Sequence, residues 1–228
     1  KLRFREISEE LSRLSLLFEE NVLEETNAFE LHIEDINDLA GLPPGIVEMA
    51  AMEAAGRKCK GWVFTLKYPS YLPFMQYAEN RKLRELMLRA HSSRAFRNNE
   101  RDNKSIIARI ARLRLERSKI LGYRTYADFA LERSMAKTPE RVMNFLGQVW
   151  DAAIPAAKAE VKAMQEIINR EGGQFKLAPW DWWYYAEKIK KEKYDLDDEI
   201  TRPYFRIDNV ISGMFYVANR LYNLDFTK

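Results

Sequence analysis

Start and stop signals for long helices follow one another from residue 80 to residue 173 of this 228-residue chain. Residues 138–140 (Thr-Pro-Glu) combine a capping hydroxyl, a proline suited to the first helical position and an acid that suits the helix dipole. The helix predicted from this start runs to Glu171 and ends at Gly172 and Gly173. We expect Pro155, which lies inside it, to kink or divide the helix. Signals at this spacing favour a mainly α fold.

Further helices are predicted on both sides of this long one. In each case a capping side chain or a first-turn proline precedes apolar residues at three- and four-residue spacing. The predicted caps and first-turn residues are Ser8, Pro44, Asn80, Thr125 and Asp208. The sequence therefore predicts a multi-helical chain.

Two short segments break the helical pattern. Phe29, Leu31 and Ile33 alternate with other residues as in a half-buried strand. Residues 61–66 (Gly-Trp-Val-Phe-Thr-Leu) are rich in aromatic and β-branched side chains. We expect these two segments to form one small antiparallel β pair. The chain is then organised as residues 1–78, with helices and the β pair, and residues 79–228, with long helices.

The near-equal numbers of basic and acidic residues argue against a function that requires a strongly charged surface. Lys and Arg number 37 and Asp and Glu 34, which gives a formal net charge of +3, so we expect neither a nucleic-acid nor a membrane partner. No apolar run is long enough to span a bilayer. The single cysteine, Cys59, excludes an intrachain disulfide and fits a reducing compartment. We therefore expect a cytoplasmic protein, or a periplasmic one if an upstream signal was removed.

An aromatic and charged stretch near the C-terminal end is the candidate functional segment. Residues 178–188 read Ala-Pro-Trp-Asp-Trp-Trp-Tyr-Tyr-Ala-Glu-Lys. Residues 180–185 hold five aromatic rings, too many for one helix to bury on one side, so some must face a cleft or another domain. Two interpretations stay open. One is packing between domains, and the other is a substrate-channel wall on which Tyr184 or Tyr185 bonds a peptide backbone.

The order of residues in this stretch, continued through residues 193–199 and 202–205, resembles the segment that precedes the catalytic motif in the M3 family of zinc metallopeptidases. That family includes peptidyl-dipeptidases, oligopeptidase A and thimet oligopeptidase. The paired Trp and Tyr residues are most similar to the bacterial peptidyl-dipeptidase branch. The resemblance extends over nearly the whole chain, in short pieces at residues 18–23, 39–43, 69–75, 80–85, 102–104, 121–123, 126–128, 135–139, 204–205 and 215–222.

The resemblance implies an almost all-helical enzyme with a deep channel that admits only short peptides. In the family, zinc is held by two histidines of a His-Glu-x-x-His motif and by a glutamate on a following helix, and the motif glutamate activates water. We therefore expect this chain to be the central helical region, upstream of that motif, of a larger zinc-dependent peptidase. The expected activity is cleavage of short oligopeptides with release of C-terminal dipeptides. The expected partners are short peptides and the missing catalytic half of the same chain.

The sequence departs from the family pattern at the metal site. Its two histidines, His32 and His91, lack a second histidine four residues on, so neither belongs to a His-Glu-x-x-His helix. We assign no catalytic and no metal-binding residue, expect zinc only in the parent enzyme, and expect the fragment alone to be inactive. Tyr184 and Tyr185 remain as the candidate substrate-binding residues.

Three other features are interpreted as structural or solvent-exposed, not as catalytic or metal-binding. His32, in a predicted strand, and His91, at a predicted helix end, are interpreted as structural or solvated residues. Cys59 has basic neighbours, but no histidine is near it in sequence to act as a base, so it is not interpreted as a nucleophile. The acidic side chains of residues 195 and 197–199 are interpreted as an exposed turn rather than a cation site.

An arginine-rich stretch also allows two interpretations. It is either a phosphate-binding patch or a solvated helix face whose arginines pair with acids such as Glu116. The near-neutral net charge favours the solvated face. The members of the stretch are Arg94, Arg97, Arg101, Arg109, Arg112, Arg114 and Arg117.

The alternative function is a self-standing helical interaction or ligand-binding module without enzyme activity. A His-Glu-x-x-His motif in the reading frame beyond residue 228 would decide against it. Under the peptidase interpretation, the apolar face of residues 209–222 and the aromatic stretch pack against the catalytic half. In the isolated chain Phe215, Leu221 and Tyr222 are then exposed, and we expect self-association through this surface.

Overall fold

A computed structural model describes residues 1–195 and 201–226. These residues form helices joined by short connections, together with one two-stranded antiparallel sheet, which confirms the mainly α fold with a small β pair. The chain divides into two compact units, Lys1–Tyr185 and Ala186–Lys228. The proposed organisation into residues 1–78 and 79–228 stays a prediction. Within the described ranges, no helix is both long and apolar enough to cross a membrane.

The part of the chain that the structure describes contains nine α-helices. They are α1 (Leu2–Ala28), α2 (Pro44–Gly56), α3 (Tyr68–Tyr77), α4 (Arg81–Ser92), α5 (Lys104–Ile120), α6 (Tyr126–Leu131), α7 (Pro139–Arg170), α8 (Trp182–Tyr194) and α9 (Ile207–Tyr222). Short 3-10 turns lie at Ile36–Leu39, Pro179–Asp181 and Arg202–Phe205.

Four predicted helix starts are confirmed. The side chain of Asn80 accepts hydrogen bonds from two backbone N–H groups in the first turn of α4, at 3.0 and 3.3 Å. The hydroxyls of Thr125 and Thr138 each accept from the N–H three residues on, at 3.2 and 3.3 Å. Helix α2 begins at Pro44. These caps work because the first N–H groups of a helix have no partner within the helix.

Two predicted caps are wrong. Helix α1 begins at Leu2, so Ser8 lies inside the helix and its hydroxyl donates to the carbonyl of Phe4 at 3.0 Å. The buried side of α1 already includes Ile7, and the helix extends over this residue instead of starting after it. Asp208 lies in the first turn of α9, where its charge suits the helix dipole without capping the end.

Helix α7 runs through Pro155 without a break. Of the two expected outcomes, division into two helices is wrong, and a kink at Pro155 stays a prediction. An interior proline removes one hydrogen bond, and this helix of 32 residues has many others. Its buried side chains all lie near the C-terminal end, at Met164, Ile167 and Ile168. An exposed apolar row occupies the N-terminal half of α7, with members Met143, Phe145, Leu146, Val149 and Trp150.

The predicted β pair is confirmed, with shorter strands than expected. Strand β1 (Leu31–Ile33) pairs antiparallel with β2 (Trp62–Phe64), and Leu31 lies opposite Phe64. Gly61, just before β2, has a φ of +81°, and a side chain there would collide with the carbonyl oxygen of Ile33. The tight approach of the two strands therefore depends on glycine at this position.

Two apolar clusters hold the first unit together. The larger one lies between the sheet and helices α2–α4, where the rings of Phe64 and Phe74 meet edge to face with centroids 4.7 Å apart. The smaller one lies between α1 and α5. Beside it the buried Asn21 donates to Asn103 Oδ1 at 2.8 Å, and Asn103 donates to the carbonyl of Phe18 at 3.0 Å. These amides satisfy one another, as buried polar groups must.

The second unit contains α9, whose apolar side chains are exposed. Leu221 and Tyr222 are 67% and 72% exposed, and Phe215 is 37% exposed, which confirms the expected exposure of these three residues. The ring of Phe215 stacks on that of Phe226 with centroids 4.5 Å apart. The helix ends at Asn223, whose φ of 53° gives the left-handed turn common after a helix.

Candidate functional site

The candidate aromatic stretch is anchored by a buried carboxylate. Asp181 ends the 3-10 turn that precedes α8 and is fully withdrawn from solvent. Its two oxygens accept hydrogen bonds from Arg84 Nη2 at 2.9 Å, from Arg81 Nη2 at 2.9 Å and from the N–H of Ala178 at 3.1 Å. A further bond comes from Arg81 Nε at 3.0 Å. Two guanidinium groups and one backbone amide therefore compensate the loss of water around this charge.

Arg84 is the second buried member of this cluster, with 1% of its surface exposed. Its Nη1 donates to the carbonyls of Ala78 and Glu79 at 2.7 and 3.0 Å, just beyond the end of α3. Its Nε donates to the carbonyl of Trp180 at 3.2 Å. Arg84 on α4 therefore bonds both the residues that follow α3 and the turn at the start of the aromatic stretch.

Arg81 occupies a different environment although it binds the same carboxylate. Its side chain is 34% exposed, and its guanidinium carbon lies 4.2 Å from the ring centre of Phe175 and 5.3 Å from that of Trp180. Arg89 approaches the Trp180 ring at 5.2 Å. Arginine stacks favourably on aromatic faces because the face carries negative potential.

The segment leading into the stretch is held by the side-chain amide of Gln165 on α7. Gln165 Nε2 donates to the carbonyl of Phe175 at 3.0 Å, and Gln165 Oε1 accepts from the N–H of Leu177 at 2.9 Å. Any side chain at Gly173 would lie 2.8 Å from a methyl group of Ile168. The hydrogen bonds of Gln165 and the close packing at Gly173 therefore fix the path of the chain toward Trp180.

Tyr184 and Tyr185, the candidate substrate-binding residues, lie next to this cluster. Their rings are perpendicular with centroids 5.1 Å apart. Tyr185 is 5% exposed and so belongs to the packed interior, whereas Tyr184 is half-buried. The Arg84 guanidinium carbon lies 4.2 Å from the centre of the Tyr184 ring. Of the tryptophans in the stretch, Trp183 is 44% exposed.

Asp181 and Arg84 were not predicted from the sequence as members of the site. A local signal existed for Asp181, because residues 178–181 (Ala-Pro-Trp-Asp) place a proline in a first turn and an acid three residues after the cap position. Arg84 lies in one of the segments that resemble the family, residues 80–85, but nothing in the sequence linked it to Asp181, which is 97 residues away.

The two histidines have structural partners. His32 Nε2 bonds the carbonyl of Lys60. The ring of His91 stacks on Tyr71 with centroids 4.2 Å apart, and His91 Nε2 lies 3.0 Å from Arg94 Nη2. Burial, and next the charge of Arg94, hold the pKa of His91 below its ordinary value.

The described residues do not fit a zinc site. Within residues 1–195 and 201–226, no group of three or more His, Cys, Asp or Glu side chains is placed to hold a metal ion, whereas zinc in proteins takes at least three such ligands. We therefore assign no step at a metal to these residues. Asp195 is exposed, and the acidic residues 197–199 lie outside the described part of the chain.

Members of the arginine-rich stretch pair with acids, as the solvated-face interpretation expected, but Glu116, the acid named in that interpretation, pairs with an arginine outside the stretch. Arg109 and Arg101 on the α5 side pair with Glu10 and Glu24 of α1, at 2.7 and 2.5 Å. Glu116 pairs with Arg3 at 2.7 Å, and this hydrogen bond lowers the pKa of Glu116. These arginines bridge two packed helices and their charge is compensated there. Cys59 is exposed, and its thiol lies 3.6 Å from the carbonyl of Arg57.

The family model for Peptidase family M3 matches residues 74–228, and the chain belongs to this family. Oligopeptidase A of Haemophilus influenzae is 40% identical over 97% of this chain and 33% of its own length. The probable cytosolic oligopeptidase A of Arabidopsis thaliana is 38% identical over 97% and 33%. The dipeptidyl carboxypeptidase of Escherichia coli is 32% identical over 100% and 34%.

The chain spans about a third of the length of these curated relatives. The family expected from the sequence is confirmed by the family model and by these relatives. Within the family, identity is higher to these two oligopeptidase A sequences than to the dipeptidyl carboxypeptidase, although the paired Trp and Tyr residues had suggested the peptidyl-dipeptidase branch.

Proposed function

We propose that this chain is the helical substrate-channel scaffold of an M3 zinc metallopeptidase that cleaves short oligopeptides. The observation that carries the proposal is the match of nearly the whole chain to peptidases of this family. The anchoring of the aromatic stretch by Asp181 supports it further, because a binding surface needs side chains held in fixed positions. On this proposal the chain supplies no zinc ligand and no catalytic group, and alone it is inactive.

Peptide binding is proposed for the tyrosines of the stretch. A phenol hydroxyl can donate to a peptide carbonyl and accept from a peptide N–H, while the ring packs against apolar side chains. Tyr184 is the better placed of the two, because it is half-buried and Tyr185 is enclosed. We propose that Tyr184 contacts the peptide and that Tyr185 supports it through their edge-to-face contact.

The catalytic groups and the zinc are proposed to come from another part of the same enzyme, which would also cover the exposed apolar surfaces. These surfaces are the apolar row on α7, with Phe145 and Trp150, and the face of α9, with Leu221 and Tyr222. Exposed apolar side chains grouped on one helix face are typical of an interface. Without the catalytic part, the chain is proposed to associate with itself.

A cytoplasmic location is proposed from the single cysteine, Cys59.

A chimera tests the peptidase proposal. The matching third of Haemophilus influenzae oligopeptidase A is replaced by residues of this chain, and hydrolysis of a quenched fluorescent oligopeptide is measured. We expect hydrolysis that a chelator abolishes and zinc restores, and no hydrolysis by this chain alone. A folded chimera without activity would contradict the proposal, and so would a ligand-binding activity of this chain that needs no other part.

Product masses from the same chimera decide the mode of cleavage. Release of C-terminal dipeptides is the mode predicted from the aromatic stretch. The higher identity to oligopeptidase A sequences makes cleavage at internal bonds the competing mode. A series of peptides of increasing length, with free and amidated C-termini, separates them, because release of dipeptides from the end depends on the terminal carboxylate.

A further inference from the structure

Arg84 is in contact with both the buried carboxylate and the candidate substrate-binding ring. Its Nη2 lies 2.9 Å from Asp181 Oδ1, and its guanidinium carbon lies 4.2 Å from the centre of the Tyr184 ring. The remaining donors of Arg84 are directed to backbone carbonyls, at distances of 2.7 to 3.2 Å. A guanidinium bonded on all its edges has little freedom to move.

We propose that Arg84, held in place by Asp181, is a positioning residue that sets where the Tyr184 hydroxyl meets the peptide. The proposal rests on the proposed function, since it requires Tyr184 to contact the substrate. The flat face of Arg84 forms a rigid support for the ring, and Asp181 fixes the orientation of that support. Neither residue touches the peptide. Both act through Tyr184.

Arg81 provides a matched control within the same cluster. Arg81 donates to both oxygens of Asp181, and Arg84 donates to one of them. A change at Arg81 therefore also weakens the ion cluster. However, its guanidinium lies against Phe175 and Trp180. If the cluster only stabilises the fold, Arg81→Lys and Arg84→Lys differ in the size of the stability loss alone. If Arg84 positions Tyr184, Arg84→Lys alters peptide binding more than Arg81→Lys does, even where the two variants lose similar stability.

The kinetic test uses the chimera with Arg81→Lys, Arg84→Lys, Tyr184→Phe and the double variant of Arg84 and Tyr184. Lysine keeps the charge but lacks the planar face. We expect Tyr184→Phe and Arg84→Lys each to raise KM by about two- to tenfold, the range for loss of one hydrogen bond, with a smaller change in kcat. Arg81→Lys should raise KM less than Arg84→Lys does, because Arg84 is the arginine that lies against the Tyr184 ring. The double variant should show the KM of Tyr184→Phe, because Arg84 acts only through that hydroxyl.

The outcomes separate the two proposals. An unchanged KM for Tyr184→Phe overturns the substrate role of Tyr184 and the positioning role with it. A raised KM for Tyr184→Phe with an unchanged KM for Arg84→Lys overturns the positioning role alone. Multiplied effects in the double variant also overturn it, because Arg84 then acts on the peptide by another route.

A second measurement needs no activity. In the 228-residue chain with isotope-labelled tyrosine, the ring signals of Tyr184 are identified by their loss in Tyr184→Phe. We expect Arg84→Lys to shift these signals and to increase the rate of ring flipping, and Arg81→Lys to shift them less. Identical Tyr184 signals in the wild-type chain and in Arg84→Lys would overturn the positioning role.

Discussion

Arg84 and Asp181 lie 97 residues apart in the sequence and form an ion pair at 2.9 Å with both side chains withdrawn from solvent. Two charges removed from water stabilise a protein only when their geometry and their further hydrogen bonds are good. Both conditions are met, because each partner has additional bonds to backbone or side-chain groups. The pair connects helix α4 to the start of the aromatic stretch.

Replacing Asp181 by Asn should strongly destabilise the first unit. The amide keeps the shape of the side chain but leaves Arg84 as a buried charge without a counter-ion, and such a loss costs about 3–5 kcal/mol of unfolding free energy. Urea unfolding followed by circular dichroism measures the change. Glu85→Gln is the control, because the exposed Glu85–Arg89 pair contributes at most about 1 kcal/mol. Equal losses for the two variants would contradict the importance of burial.

Stability should fall as the pH falls below 6.5, partly because of His91. The pKa of this side chain is lowered from 6.5 in the folded state, so between the two pKa values the unfolded chain binds more protons. The contribution of His91 is therefore complete above pH 6.5 and decreases as the pH falls toward the folded-state pKa. Comparing the unfolding free energy of the wild-type chain and of His91→Gln from pH 5 to 8 isolates this contribution.

The exposed His32 gives the control for that titration. Because His32 is exposed and His91 is stacked on a buried ring, His32→Gln should keep the pH dependence of the wild-type chain. His91→Gln should have a flatter profile over the same range, because the group that takes up the proton on unfolding is gone. A profile of His91→Gln that runs parallel to that of the wild-type chain would show that other groups cause the acid sensitivity.

Two glycines should respond in opposite directions to substitution by alanine. Gly61 has a φ of +81° and no room for a side chain, so Gly61→Ala should cost more than about 1 kcal/mol of unfolding free energy. Gly147 lies inside α7 with open space around it, so Gly147→Ala should stabilise by about 0.5–1 kcal/mol. Melting curves of both variants test the pair. A stabilising Gly61→Ala would mean that the two strands do not approach as closely as described.

The isolated chain should self-associate through α9. Replacing Leu221 and Tyr222 by Gln removes exposed apolar surface and should shift the chain toward monomer at equal concentration. Sedimentation velocity over a concentration series measures this. Tyr68→Gln is the control, because Tyr68 is also exposed but lies in the first unit. If the α9 variant associates as strongly as the wild-type chain, another surface is responsible.

The features that were predictable from the sequence are those with local causes. The caps at Asn80, Thr125 and Thr138 depend on bonds that span two or three residues, and the side-chain types reveal them. The start of α1 was wrong because burial of Ile7 extends the helix beyond Ser8, and burial is a property of the fold. The aromatic stretch could be singled out as a candidate site because its residues are adjacent in the sequence, whereas its partner Arg84 is distant and could not be predicted.

The contact between Gln165 and residues 175 and 177 also affects how the chain behaves among its neighbours. A short extended segment usually exposes alternate backbone groups, and these are what a strand from another molecule pairs with when proteins aggregate. The carbonyl of Phe175 and the N–H of Leu177 are already bonded to a side chain of the same molecule. One amide on α7 therefore occupies two backbone groups of this segment, and we expect Gln165→Ala to leave both groups open to pairing with another molecule.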